Sequence, residues 1–496
     1  MHHAATKKLG RSASTLRAAV LVSLLTSLGC AGHSAKTLEA RNALDAGQPE
    51  KALKLYNEEL KVESEKDLPK DTSGDAALLL LDRAVILQQL GLHELSARDL
   101  QVADKQVEML DFSRSTADEI GKYLFSDDTG PYKSPPYEKL MINTINMVNY
   151  LVRGDLNGAR IEARRFAVMQ KYLKETGSTA ASLLGAGSYL AGFTFELSGE
   201  PQEAMRYYDE ALQYGAFHTL DEAIVRLSSR ASYRTPRITE VLKRHPTQPS
   251  GPAAVTHPGS PTAQPSAAPA SERTGDAADA TTTAKPGTAA ETEGEVLIVI
   301  SYGRVPAKIA ERVPIGLALT YASGALSPSD HAQANALAAQ GLVSWVNYPT
   351  LGKARGTYGA AKCSVDKELQ PLDGVPVDQH AIQAWEAEKG AVIASAITRM
   401  IARIIAGKAV ETAVESSGGD GLLGLVLGLA TQATLTAADT PDTRSWATLP
   451  ARMAFGRVRV PAGTHTVELT ASGVVLRRTL VVKPRGFSAI SLTVLR

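Results

Sequence analysis

Residues 199–212 read Gly-Glu-Pro-Gln-Glu-Ala-Met-Arg-Tyr-Tyr-Asp-Glu-Ala-Leu, and this stretch decides the N-terminal fold. Gly199 can adopt the left-handed backbone that ends a helix, and Ala204, five residues later, lets the next helix pack closely against its partner. Around such turns, apolar residues recur at spacings of three, four and seven, which predicts amphipathic helices. The same turn recurs in three further pairs, which are Gly47 with Ala52, Gly154 with Ala159 and, one residue longer, Gly91 with Ala97.

The second helix of this stretch resembles that of a tetratricopeptide repeat, because Ala204, Tyr208 and Ala211 place small, aromatic and small residues at the spacing of that family. The alanines at 52, 97, 159 and 204 are 45, 62 and 45 residues apart, whereas regular arrays repeat about every 34 residues. The resemblance implies an all-α, degenerate tetratricopeptide-like repeat domain over 30–244, with a concave face for extended partners. The alternative is an array that only spaces the C-terminal part away from a membrane.

The first thirty residues have the features of an export signal. Basic residues between Lys7 and Arg17 precede the apolar run 18–28, which has the length of a secretory signal and is too short to span a bilayer. The run ends in Ser27-Leu-Gly-Cys30, which resembles a bacterial lipobox except that Ser27 stands where leucine is usual. We expect residues 1–29 to be a lipoprotein signal peptide and Cys30 to carry lipid, such as palmitate. The alternative is an ordinary secretory peptide with Cys30 as a bystander.

The cysteine count supports lipidation. Cys30 and Cys363 are the only cysteines, so the chain has no disulfide framework, although it is expected to be exported. Residues 31 and 32 include no aspartate, which by resemblance to enterobacterial sorting signals favours the outer membrane. We therefore expect a lipid-anchored outer-membrane protein that faces the periplasm.

Composition divides the rest of the chain. Residues 245–293 are rich in Pro, Ala, Thr, Ser and Gly, which predicts a disordered linker that lets the two halves move. Residues 294–496 change to an α+β pattern. The predicted strands are 296–302, 315–321 and 342–348, a helix follows over 378–414, and four strands between 453 and 495 form an antiparallel β meander, as a small sandwich or sheet. The apolar run 421–430 is too short for a membrane span and predicts a buried or partner-facing helix.

Charge and motifs exclude several functions. The formal charge is +1, or −3 once the four basic residues of the leader are removed, and aromatic residues make up 5%, so nothing indicates nucleic-acid binding. The ten histidines lack metal-ligand spacing, and no hydrolase, metalloprotease or nucleotide-loop motif occurs. We therefore predict no enzyme activity, no catalytic or metal site and no cofactor.

Three blocks carry a second resemblance, to an uncharacterised family of bacterial envelope lipoproteins with tetratricopeptide-like helices. The blocks are residues 137–165, 294–306 and 442–467. The resemblance implies a protein-binding scaffold in cell-envelope assembly, with envelope proteins or lipoproteins as partners. It does not predict the number of subunits. Arg160, Arg164 and Arg165 could bind a carboxylate of a partner, or Arg160 and Arg164 could simply cover a solvated helix face. The alternatives are an envelope glycan-binding protein or hydrolase with its site in the C-terminal domain, and an effector that perturbs membranes through residues 391–438.

Overall fold

The computed structural model describes residues 33–109, 132–245, 292–340, 345–355, 358–416 and 441–496, and only the backbone over 406–416. The predicted signal peptide, Cys30, nearly all of the linker and the apolar run 421–430 lie outside the described residues. No described helix combines the length and the apolarity that a membrane crossing requires.

The N-terminal region is helical, as predicted. Its helices are α1 His33–Lys36, α2 Leu38–Asp45, α3 Pro49–Glu59, α4 Asp75–Gln89, α5 His93–Gln106, α6 Pro136–Val152, α7 Leu156–Glu175, α8 Leu184–Leu197, α9 Pro201–Tyr214, α10 Asp221–Leu227 and α11 Pro236–Arg244. A two-residue parallel pair, β1 Glu108–Met109 with β2 Lys133–Ser134, flanks the residues between α5 and α6.

Consecutive helices pack as hairpins, most extensively α4 with α5, α6 with α7 and α8 with α9. Gly199, between α8 and α9, has a φ of +76°. Its N–H donates to Glu196 O and the N–H of Glu200 donates to Phe195 O, so α8 ends in a Schellman motif. Within α8, a Cβ at Gly187 would lie 2.0 Å from the Phe166 ring, so only glycine admits this close approach of α7.

Among its described residues, the C-terminal region combines strands with four helices. The strands are β3 Glu293–Tyr302, β4 Lys308–Pro314, β5 Trp345–Leu351, β6 Lys362–Val365, β7 Glu368–Gln370, β8 Asp373–Val375, β9 Arg452–Pro461, β10 Gly463–Ala471, β11 Val474–Val482 and β12 Phe487–Val494. The helices are α12 Ile315–Ala322, α13 Pro328–Ala339, α14 Val377–Ala387 and α15 Lys389–Ser416.

The last four strands do not form the predicted meander. They divide between two four-stranded sheets, in the orders β11-β10-β6-β7 and β12-β3-β9-β8. The chain leaves the second sheet after β9 and enters the first at β10, while β12 returns to pair in parallel with β3, which already pairs antiparallel with β9. Apolar side chains of both sheets, including Ile298, Val467 and Leu469, meet in a small core of their own. The sandwich is therefore present, but strands that follow one another in sequence, such as β9 and β10, do not always pair with each other.

Two further predictions need correction. Residues 315–321 form α12 and not a strand, because Ala318, Leu319 and Ala322 lie at helical spacing and are buried where α12 packs on α15. The single helix predicted over 378–414 is two helices, α14 and α15, which are separated at Glu388. The strand predicted over 342–348 begins at Trp345 among the described residues.

The two halves of the chain share one hydrophobic core, which contradicts the prediction that they move independently. That core runs from Ala40 in α2 to Leu495 at the C-terminus. On the inner side of the array, Tyr189 of α8 packs on Phe455 of β9 with ring centroids 5.0 Å apart, and Phe193 packs edge-on against Phe487 of β12 at 5.8 Å. This side, called the inner side of the array below, is therefore covered by the C-terminal half.

Candidate functional site

A buried cation joins the C-terminal half to helices α8 and α9. Arg457 of β9 donates to both carboxylate oxygens of Glu295 at 2.6 and 2.8 Å, to Tyr208 Oη of α9 at 2.7 Å and to Glu196 of α8 at 3.0 Å. Burial would raise the pKa of Glu196, but Arg457 and Arg226 outweigh that effect and lower it to about 2. The Glu196 carboxylate is therefore ionised beside the Arg457 guanidinium, and the cluster holds the two halves together.

A second junction joins residues 444–448 of the C-terminal half to helices α4 and α6. The N–H of Trp446 donates to Glu138 Oε1 of α6 at 3.2 Å, and the N–H of Thr448 donates to Asp82 Oδ1 of α4 at 2.9 Å. Arg444 completes this contact by donating to Asp75 at the start of α4, at 2.8 Å. Side chains of α4 and α6 thus accept hydrogen bonds from the backbone N–H groups of Trp446 and Thr448, so this segment is part of the packed interior.

Glu138 is the most perturbed acid of this junction. Its side chain is buried, accepts a short hydrogen bond from Tyr132 Oη, and has a pKa raised to about 7 by burial, against the opposing effect of Lys308. Burial in turn lowers the pKa of the Lys308 ammonium, which lies 4.9 Å from the Trp385 ring centroid and 5.5 Å from that of Tyr132. Perturbed groups often mark catalytic sites, but here the contacts of Glu138 and Lys308 are with residues of the chain itself, as in a structural junction.

The residues predicted to pack the repeats lie inside the helical array. Ala52, Ala159, Ala204, Tyr208 and Ala211 are all buried. Gly47 and Gly154 have φ of +70° and +72° at helix ends, like Gly199. What sequence reasoning missed is that Tyr208 also reaches out of the array, donating to Glu196 and accepting from Arg457. A buried tyrosine hydroxyl needs a polar partner, which was the available signal.

One side of α7, called its outer face, is exposed to solvent although it carries large apolar side chains. Ile161 and Val168 remain 51% and 69% exposed, two turns apart on one side of the helix, and Arg164 lies exposed between them. Of the three predicted arginines, Arg160 pairs with Glu200 at 2.6 Å and Arg165 with Glu162 at 3.1 Å. Within the described residues Arg164 has no ion pair. Ile161, Arg164 and Val168 are called the α7 patch below.

Two lone groups have structural roles. Cys363 is buried in the sandwich, where burial raises the pKa of its thiol to about 12. His465 bridges Asp366 and the carbonyl of Pro461, each at 2.7 Å. Over the described ranges no group of three His, Cys, Asp or Glu residues is arranged to hold a metal ion.

Comparison of the chain with protein-family models, with curated protein sequences and with solved structures gives no match. Both resemblances inferred from the sequence stay predictions.

Proposed function

We propose that the protein is an outer-membrane lipoprotein that acts as a protein-binding scaffold in cell-envelope assembly, with degenerate tetratricopeptide-like hairpins as its framework. The observation that carries the proposal is the α7 patch. Arginine is enriched at the centres of protein interfaces, and Arg164 has no ion pair within the described residues. The two exposed aliphatic side chains beside it offer apolar area that a partner can bury. The partner it fits presents a carboxylate to Arg164 and an apolar surface to Ile161 and Val168.

The occupied inner face supports this assignment of the binding surface. Partners of a helical solenoid bind an extended face formed by its helices, but here the inner side of the array packs on Phe455 and Phe487. A partner at that side would have to displace a buried core and the ion pairs of Arg457. The outer face of the array needs no such rearrangement, so we place partner binding there.

The interaction is tested by site-specific photo-crosslinking in living cells. A photoreactive amino acid at Val168 should capture one discrete envelope protein, and the charge reversal Arg164→Glu should reduce that capture at least tenfold. The matched control is Val481 on β11, which is 67% exposed against 69% for Val168. The same products from both positions, or capture unaffected by Arg164→Glu, would contradict the α7 patch as a recognition surface.

The anchor is tested separately. Acyl chains contribute about 0.8 kcal/mol per buried CH₂, so two or more chains hold a protein firmly to a bilayer without a spanning helix. Cys30→Ser should move the protein from the membrane fraction to the soluble fraction. Continued flotation of the Cys30→Ser protein with membrane vesicles would exclude lipidation as the anchor.

A further inference from the structure

The chain is already fixed to the folded body three residues after Cys30. His33 is only 3% exposed, and its Nε2 lies 3.8 Å from Asp82 Oδ2 of α4. Ser34 Oγ lies 3.1 Å from Thr443 Oγ1 of the C-terminal half, and Arg41 donates to Ser34 O. Helix α1 is thus fastened to both halves of the molecule at once.

This attachment leaves almost no free chain between a lipid on Cys30 and the folded body. Three Cα-to-Cα steps span at most about 11 Å, even when fully extended. The headgroup layer on each side of a bilayer is roughly 5–8 Å thick, and acyl chains reach the hydrocarbon only if Cys30 lies within or next to that layer. His33 must then lie within about 11 Å of the headgroup layer.

We propose that the protein sits directly on the lipid headgroups, with the surface around α1 as its membrane-contacting face. The inference rests on the proposed lipidation of Cys30. A protein on a long flexible stalk would sample all orientations, whereas this one is held by a short link to a helix that cannot swing away. The occupant of this face is a lipid surface.

The exposed side chains of this face suit such a surface. Lys36, at the end of α1, is exposed, and Leu38, two residues later, is 51% exposed although it is large and apolar. A lysine can reach phosphate groups while its stem lies along the interface, and a leucine can enter the boundary between headgroups and acyl chains. Both lie close in sequence to the start of α1, so they can reach the headgroups that surround the anchor.

The proposal predicts different depths for two labelled positions. We would place a fluorophore on Lys36→Cys or, as a control at the other end of the helical array, on Glu240→Cys in α11, in lipidated full-length protein on vesicles that contain brominated phospholipids. Cys363 does not interfere because it is buried. Quenching at position 36 should exceed quenching at position 240 at least threefold. A fourteen-residue Gly/Ser insertion between Gly32 and His33 should remove that difference and leave vesicle flotation unchanged.

Flotation separates the two possible failures. If the protein with Cys30 floats no better than Cys30→Ser, the proposed anchor is wrong and the membrane-contacting face is wrong with it. If it floats but position 36 is quenched no more than position 240, only the proposed face is wrong. The proposed face is also wrong if the insertion changes nothing, because close seating requires the short link. As a second check, Leu38→Ala should lower quenching at position 36 while circular dichroism shows an intact fold.

Discussion

The two faces of the helical array place arginines in opposite surroundings. On the inner side, Arg457 is buried and its guanidinium is shared among Glu295, Glu196 and Tyr208. On the outer side, Arg164 is exposed between Ile161 and Val168. A buried charge is tolerable only when its partners are already in place, whereas an exposed unpaired one remains available to another molecule. The inner face therefore serves stability, and the outer face is the one that we propose for recognition.

The sharpest way to break this comparison is to remove the inner cation. Arg457→Met should lower the free energy of unfolding by about 3–5 kcal/mol, because it leaves Glu295 and Glu196 buried with too little positive charge. Urea unfolding followed by circular dichroism measures the loss. The control is Arg477→Met, which removes an exposed partner of Glu468 and should cost less than about 1 kcal/mol.

A second substitution separates lost charge from lost packing. Adding Glu196→Gln to Arg457→Met should recover part of the stability, because one of the stranded carboxylates becomes neutral. If Arg457→Met costs no more than Arg477→Met, the inner face does not depend on its ion pairs, and the contrast between the two faces fails.

The linker offers a smaller test of whether the halves form one body. Both of its ends lie beside α10, where His245 bonds to Asp221 at 3.1 Å, and Arg459 pairs with both Glu293 and Glu222. Replacing residues 247–290 by ten Gly and Ser residues should stabilise the protein by about 1 kcal/mol, because a shorter loop costs less entropy to close. Calorimetry should still show one cooperative transition. Two separate transitions would indicate that the halves fold independently.

The hairpins could be predicted from the sequence because their signals are local. A glycine such as Gly199 needs only its own backbone freedom to end a helix, and the apolar spacing on each side needs no distant partner. The strand predicted over 315–321 is wrong because its local pattern does not decide between strand and helix. A short run of β-branched and apolar residues satisfies both periods, and contact with α15 decides for the helix.

The junction and the α7 patch could not be predicted because they depend on long-range pairing. Arg457 and Glu196 are 261 positions apart in the chain, and no spacing rule relates them. On α7, three arginines lie close together in sequence, at 160, 164 and 165. Glu200 and Glu162 pair with the first and the last, which leaves Arg164 without an ion pair among the described residues. The sequence therefore contains the candidates, and the fold selects Arg164.

The smallest expected effect lies outside both faces, at His465 in β10. It sharpens the comparison by testing an ion pair in which the Asp366 carboxylate is exposed and the His465 ring is mostly enclosed. The neighbours of its two ring nitrogens, Asp366 Oδ2 and Pro461 O, are both acceptors. Two acceptors at the two ring nitrogens favour the protonated ring, in which both nitrogens donate. The hydrogen bond to Asp366 raises the pKa of His465, and that to His465 lowers the pKa of Asp366.

A raised histidine pKa stabilises the folded state fully below the ordinary value of about 6.5, and that contribution is lost as pH rises through the folded pKa. A lowered aspartate pKa sets the acid limit, since its contribution is lost as pH falls through the folded value. His465→Gln should therefore lower the melting temperature at pH 5.5 and leave it nearly unchanged at pH 9. By NMR, Asp366→Asn should return the His465 pKa toward its ordinary value. An equal loss at both pH values would show that the ring contributes packing alone, and that even this mostly enclosed imidazole gains nothing from its charge.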